Sequence, residues 1–191
     1  SVTAGQHVGL VDPATGNEIE RAVPLFETIV SNLPFVDFNT SEVSWYDSAK
    51  RQINDELVKQ DGVRLSGRND LYGYITLYLR NLMSASGIAC VLTSSSWLVS
   101  NAGESFFHDL NAVYDIDGIY VNGKARWFAN ADVMNAVLLL RPKTQNGGLS
   151  VRFGVISASI EELKNDEMRE SIARSIITES DQAGKLFAEA S

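Results

Sequence analysis

The segment Glu27-Thr-Ile-Val-Ser-Asn-Leu-Pro-Phe-Val36 places an amide side chain, a proline and an aromatic ring directly after a short, β-branched apolar run. Such a run predicts a buried strand from Phe26 to Ser31, ended by Asn32-Leu-Pro34. Open α/β sheets hold their ligands just past the carboxyl ends of their strands, so a polar group here is well placed for chemistry. An asparagine side chain and a neighbouring backbone carbonyl can together accept both hydrogens of an exocyclic amine, while an adjacent aromatic ring stacks on the base that carries it. That combination suits an adenine turned out of its stack. Taken alone, such a tetrapeptide more often merely turns the chain out of a sheet.

Other chemistries find less support. His7 and His108 are the only histidines, too few and too far apart for a histidine metal site or a Ser-His-acid triad. The single cysteine, Cys90, has no internal disulfide partner and falls in the apolar run Ile88 to Leu92. A small buried hydrophobe in a reducing, cytoplasmic compartment is the expectation. No apolar stretch approaches the roughly 18 residues that span a bilayer, and the first residues lack a basic segment followed by an apolar one. Sixteen basic and 24 acidic residues leave a net charge of −8, so the chain lacks the basic excess of a self-sufficient nucleic-acid binder. Contact with DNA must then be local or shared. With 191 residues, 45% of them apolar and only 4 prolines, one ordinary domain with a real core is expected.

The elements that would position Asn32 follow from periodicity. Val8 to Gly16 reads as a surface hairpin. Val43, Tyr46, Ala49, Ile53 and Leu57 recur at helical spacing over residues 41–60, with Arg51 and Asp55 one turn apart on the wet side. A polar loop, Arg64 to Asn69, leads to Asp70 as a candidate N-cap and a helix with the stripe Leu71, Ile75, Tyr78, Leu79 and Leu82, ended by Ser86-Gly87. Ile88 to Leu92 is an apolar strand that empties into Thr93-Ser-Ser-Ser-Trp97. A further helix opens near Asn101 with Glu104 as capping-box partner. Strands over Ile116 to Val121 and Ala136 to Leu140, the latter stopped by Pro142, are suited to antiparallel pairing. Val151 to Ile156 reads as an edge strand and Ile160 to Ile177 as an amphipathic helix. Strand, polar turn, helix is the α/β rhythm.

Four blocks in order resemble the adenine-specific class I DNA methyltransferases. Asn32-Leu-Pro-Phe35 resembles their Asn-Pro-Pro-Tyr/Phe motif, Leu65-Ser-Gly-Arg-Asn-Asp-Leu-Tyr-Gly-Tyr74 their loop-plus-helix block, Ile88 to Leu98 their next strand and active-site turn, and Lys124 to Val133 their late hairpin. The similarity is greatest to large methylase subunits of restriction-modification and phage-defence systems, and covers residues 26 to 142. It implies an α/β fold, namely part of a class I (Rossmann-like) sheet, strands four to seven, with an antiparallel last hairpin and helices on both faces. In that family's sheet order of three, two, one, four, five, seven, six, this chain would supply the last four.

The resemblance also implies roles. Asn32 would hold the target amine, the Leu33 carbonyl would share it, and Pro34 and Phe35 would shape the loop, Phe35 stacking on the extruded base. Asn32, Leu71 and Tyr72 would line the side of the cofactor, S-adenosyl-L-methionine. Ser95 and Trp97 would sit on the rim of the target pocket, Arg68 could meet a phosphate, and Arg126, Trp127 and Phe128 would stabilise the hairpin. The implied partners are double-stranded DNA with a flipped adenine and the other half of the catalytic sheet, supplied by an upstream segment or a partner chain, with self-association as a further route.

The departures matter. Leu33 stands where the family has proline, which removes a fixed φ. No glycine-rich turn and acidic ribose ligand are found. Asp12-Pro-Ala-Thr-Gly16 resembles such a turn, but about 15 residues separate Gly16 from Asn32, whereas a single βαβ unit takes about 30. The expected organisation is therefore a hairpin or linker over 1–25, the carboxyl-terminal half of a methyltransferase domain over 26–142, and a strand plus helical tail over 143–191. On its own such a half is expected to be inactive. Two alternatives stay open: a protein-glutamine methyltransferase, which uses a similar loop on a side-chain amide, and a catalytically inactive methyltransferase-like scaffold.

Overall fold

The computed structural model describes residues 4–34, 44–65, 70–123, 127–128, 134–144 and 151–178. A hairpin forms from β1 (His7–Val11) and β2 (Glu18–Ala22), with Leu10 opposite Ile19; its second strand lies past the expected Val8 to Gly16 span, because Asp12 to Gly16 makes the turn. Its turn is organised by Asp12, whose carboxylate accepts the Ala14 amide and the Thr15 hydroxyl at 2.9 Å each. Gly16 completes it at φ +72°, where an L side chain would be strained.

The remaining strands form one sheet. They are β3 (Phe26–Asn32), β4 (Met83–Ser94), β5 (Tyr114–Asn122), β6 (Asn135–Pro142) and β7 (Arg152–Ile156), in the order β3-β4-β6-β5-β7. β3 runs parallel to β4 and β5 parallel to β7, while β6 is antiparallel to both of its neighbours. The first four strands reproduce the expected order four, five, seven, six with its antiparallel hairpin, and β7 adds one parallel strand at the far edge. This topology places Asn32, Ser94 and Asn122, at strand carboxyl ends, on the same end of the sheet as Asn135, which starts β6.

Three helices, α1 (Ser44–Asp61), α2 (Leu71–Tyr78) and α3 (Asn101–Val113), pack against one another and one face of the sheet. Leu57, Tyr74, Phe106 and Leu110 meet Val91, Leu138 and Leu140 there in the main core. α4 (Asp166–Thr178) lies over Tyr120 and Gly154 on the opposite face. Arg152 ties it down, donating to the Asp117 carbonyl at 3.0 Å and to that of Ile176. Helices thus occupy both faces. None of them is long and apolar enough to cross a membrane among the described residues.

Several local expectations need correction. β3 is not a buried strand: Val30 is 79% exposed and Phe26 and Leu25 are also exposed, because β3 is the sheet's edge and its outer side has no strand among the described residues. The expected helix end at Ser86-Gly87 lies inside β4. Helix gives way earlier, through a 3-10 turn over Leu79–Leu82, because Met83 already pairs with Phe26 and a side chain at Gly87 would press on the Phe26 carbonyl. α2 is buried on nearly all sides rather than along a stripe, since α1 and α3 both flank it. Neither Asp70 nor Ser100 makes a side-chain cap; the Ser100 hydroxyl instead donates to the Trp97 carbonyl at 3.4 Å, and the Asn101 side chain that a box with Glu104 would use lies outside what the structure describes. The tail helix starts at Asp166 rather than Ile160. Reciprocal Ser159 and Glu162 bonds start a short 3-10 turn first, and Asn165 then accepts the Glu167 amide at 2.8 Å.

Candidate functional site

At the carboxyl end of β3, Asn32 pairs with Leu92 of β4 and its side chain is exposed. The next residue does the opposite. Leu33 is 5% exposed, packs in the main core, and donates its amide to the Leu92 carbonyl at 3.2 Å. Pro34 is exposed again, and Phe35 lies outside the described residues, as do Arg68 and Arg126.

The neighbouring strand ends in a tightly bonded turn. The Ser95 amide donates to the Met134 carbonyl at 2.8 Å, fixing the turn to the residue before β6. Ser94 Oγ donates to Ser96 Oγ at 2.9 Å and accepts the Ser96 amide at 3.2 Å. Trp97 points inward: it is 5% exposed, its Nε1 donates to Thr93 Oγ1 at 3.4 Å, and its ring meets Phe106 edge to face at 5.3 Å and 84°. Phe106 meets Tyr72 in the same way, at 5.9 Å and 81°. Such edge-to-face contacts set positive ring edges against negative faces, and so fix orientation as well as fill space.

Tyr72 lies on the other side of Phe106 and is buried. Burial, and next the negative charge of Asp70, push Tyr72 up to about 12. It is therefore a neutral hydroxyl at physiological pH. The exposed groups at this end of the sheet, Asn32 with the half-exposed Ser95, are likewise neutral. They can hydrogen-bond an uncharged amine or amide, and neither is a base strong enough to abstract its proton.

The structure thus brings Asn32, Leu33 and Ser95 to one end of adjacent strands. Leu71 and Tyr72 are buried beneath, both 6% exposed, and do not open a cofactor pocket among the described residues. Trp97 is a support for the turn rather than an open face. Trp127 Nε1 donates to the Ala158 carbonyl, two residues past β7, at 3.4 Å. Sequence reasoning missed Asn122 and Asn135, both buried, where the Asn122 side-chain oxygen accepts the Asn135 amide at 2.8 Å. Their signal was available: each is an amide bordering an apolar run, Ile119 to Val121 or Ala136 to Leu140. It also missed Lys50, buried and 5.4 Å above the Tyr74 ring, whose ammonium is held below its ordinary pKa chiefly by burial.

Two cavities lie nearby or elsewhere. One of about 340 Å³ sits between α4 and β7, walled by Tyr120, Met168 and Ile172, and is remote from Asn32 in the strand order. The other, about 370 Å³, lies against Trp97, Leu98 and Phe153, behind the Ser94–Trp97 turn. Neither is lined by Asn32 or Ser95, so the polar strand ends, not the cavities, define the candidate site.

No protein-family model and no curated protein matches the sequence. Solved structures do match the fold. The type IIG restriction endonuclease BpuSI aligns with a TM-score of 0.60 at 14% identity, over 81% of this chain and 17% of its own. The methyltransferase subunit of a type I restriction-modification system from Streptococcus thermophilus aligns at 0.57 and 14%, over 81% and 32%. A Listeria monocytogenes protein assigned to the class I S-adenosylmethionine-dependent methyltransferases aligns at 0.52 and 12%, over 80% and 42%. The chain therefore has the fold of one portion of these larger proteins and spans less than half the length of each.

Proposed function

We propose that this chain forms the target-amine end of an S-adenosylmethionine-dependent methyltransferase that modifies the exocyclic amino group of a flipped adenine in DNA, as part of a restriction-modification or phage-defence system. The observation that carries the reading is the exposed Asn32 amide at the end of β3, one strand away from the Ser94–Trp97 turn, on a sheet whose order is the one the resemblance implies.

In this reading the Asn32 side-chain oxygen accepts one N–H of the target amine and the Leu33 carbonyl accepts the other. Both bonds draw the amine out of conjugation with its ring, so its lone pair is free to point at an electrophile held in line. The extra proton leaves to water after transfer, and no strong base is required. Phe35 would supply the stacking face, Arg68 a phosphate contact, and Ser95 a hydroxyl on the rim. S-adenosylmethionine would supply the methyl group. The described residues do not fit a pocket for it, since Leu71 and Tyr72 are closed inside the core; its binding half is assigned to a segment or partner chain that pairs with the open edge of β3. Exposed apolar residues on an open parallel edge, Phe26 and Val30, support that pairing.

The test is transfer of labelled methyl groups from S-adenosylmethionine to unmethylated plasmid, with release-factor protein as the competing substrate, using the chain alone and joined to its cofactor half. Incorporation into plasmid adenine, lost in Asn32→Ala by about 100-fold or more, is expected. Labelling of the protein substrate instead would favour the glutamine-modifying alternative, and Asn32-independent transfer would exclude this site. An inactive scaffold would transfer nothing in either state.

A further inference from the structure

Leu33 is the one position where the loop departs from the proline of the motif it resembles, and the structure gives that departure a physical function. In a parallel ladder every second residue of a strand bonds the neighbouring strand, its carbonyl accepting the amide of the residue after its partner. Asn32 pairs with Leu92, and the Leu92 carbonyl does accept the Leu33 amide, at 3.2 Å. That bond is the last rung of the β3–β4 ladder, one residue past the end of β3. A proline at the same place has no N–H and could not make it.

The side chain adds a second constraint. Successive residues of a strand point to opposite faces, so Ile29, Ser31 and Leu33 share one side and Val30 and Asn32 the other. Leu33 is buried in the main core, with Ile29 packed against the same cluster, whereas Val30 and Asn32 are exposed. A slip by one residue would drive the Asn32 amide into the core and Leu33 into water. Anchoring Leu33 therefore fixes which way Asn32 faces, and the rung fixes the backbone that carries the Leu33 carbonyl.

We propose that Leu33 is a positioning residue: its amide rung to Leu92 and its buried side chain hold the Asn32 amide in its outward aim and fix the backbone that carries the adjoining carbonyl, replacing the rigidity that proline supplies in Asn-Pro-Pro-Tyr/Phe loops. This rests on the methyltransferase reading for its purpose, although the clamp itself is a property of the chain. The two devices exclude each other at one position, because proline gains a fixed φ only by giving up the donor. Restoring the proline here therefore damages the loop.

Three variants of the full chain separate the parts: Leu33→Met keeps rung and bulk, Leu33→Ala keeps the rung alone, and Leu33→Pro loses both while restoring the motif. Nuclear magnetic resonance reads the exchange of the Leu33 amide, the side-chain amide signals of Asn32 and the global melting point. In the unaltered chain the Leu33 amide should exchange at least about 100-fold more slowly than in an unstructured peptide. Leu33→Met should leave the Asn32 signals in place. Leu33→Ala should lower the melting point and shift or broaden those signals, and Leu33→Pro should shift them further. In the joined, active protein Leu33→Pro should cut turnover by about 10-fold or more with KM for the methyl donor unchanged.

An unprotected Leu33 amide, Asn32 signals indifferent to Leu33→Pro, or turnover raised by it would each overturn the proposal. If Leu33→Pro does not fold, the Met and Ala pair still decides, since a purely stabilising leucine would leave the Asn32 signals unmoved in Leu33→Ala and that result would overturn the proposal. A protected amide and an ordered Asn32 in a protein that transfers no methyl group would overturn the methyltransferase reading and leave the clamp standing.

Discussion

β3 and β4 lie side by side, parallel and hydrogen-bonded, with similarly apolar centres, Thr28-Ile-Val-Ser31 and Ile88-Ala-Cys-Val-Leu92, yet they occupy different surroundings. Val91 is wholly buried; Val30, paired one residue earlier, is 79% exposed. β4 has β6 on its far side and helices beneath it, whereas β3 has an open edge and an uncovered face among the described residues. Composition decides that both are strands. Neighbours decide what each one buries, and the contrast leaves the rigid half of the candidate site on β4 and its reactive half on an edge.

The largest effect that would break this contrast acts on the rigid side. A β-carbon at Gly103, in the first turn of α3, would lie 1.5 Å from the Trp97 carbonyl oxygen, an overlap that only a shift of backbone can relieve. Gly103→Ala should cost about 4 kcal/mol or more and prevent the Ser94–Trp97 turn from seating, as read by urea unfolding and loss of the buried Trp97 fluorescence. Next, Leu138→Ala, in the fully buried centre, should cost about 2–5 kcal/mol, while Val30→Ala on the open edge should stay within about 0.5 kcal/mol. If Val30→Ala proves as costly as a core truncation, the edge is already covered in solution, and an association measurement should then show what covers it.

The smallest effect sharpens the comparison at Tyr72. Its pKa rises to about 12 in the folded chain, so the folded state binds the phenolic proton more tightly than the unfolded state, whose ordinary value is 10. The corresponding stability is fully present below pH 10 and is lost as pH climbs toward 12. Tyr72→Phe should flatten that part of an alkaline unfolding profile while changing stability at neutral pH by no more than about 1 kcal/mol. An unchanged alkaline limb would mean that the fully buried Tyr114, also raised by desolvation, accounts for the transition alone.

Much of the fold was legible in the sequence for a physical reason. The alternating and continuous apolar runs at 116–121, 136–140 and 151–156 became β5, β6 and β7 because a period of two leaves little choice about backbone conformation. Boundaries were not legible where long-range pairing outweighs local preference. Met83 to Gly87 is polar and small enough to read as the end of a helix, and only its partner Phe26, far away in sequence, makes it strand.

The candidate site divides in the same way. The amide, carbonyl and hydroxyl types at Asn32, Leu33 and Ser95, and their places after apolar strands, could be read directly, because hydrogen-bonding capacity belongs to the residue type. Whether a side chain faces solvent or core could not. Tyr72 and Trp97 are as polar-tipped on paper as any pocket residue, and they point inward because Phe106, from a third element, fills the space between them. The sequence by itself determined the donors, acceptors and strand-forming runs; the tertiary structure alone decided which were buried, because burial depends on the atoms that other segments bring, and those distances have no counterpart along the chain.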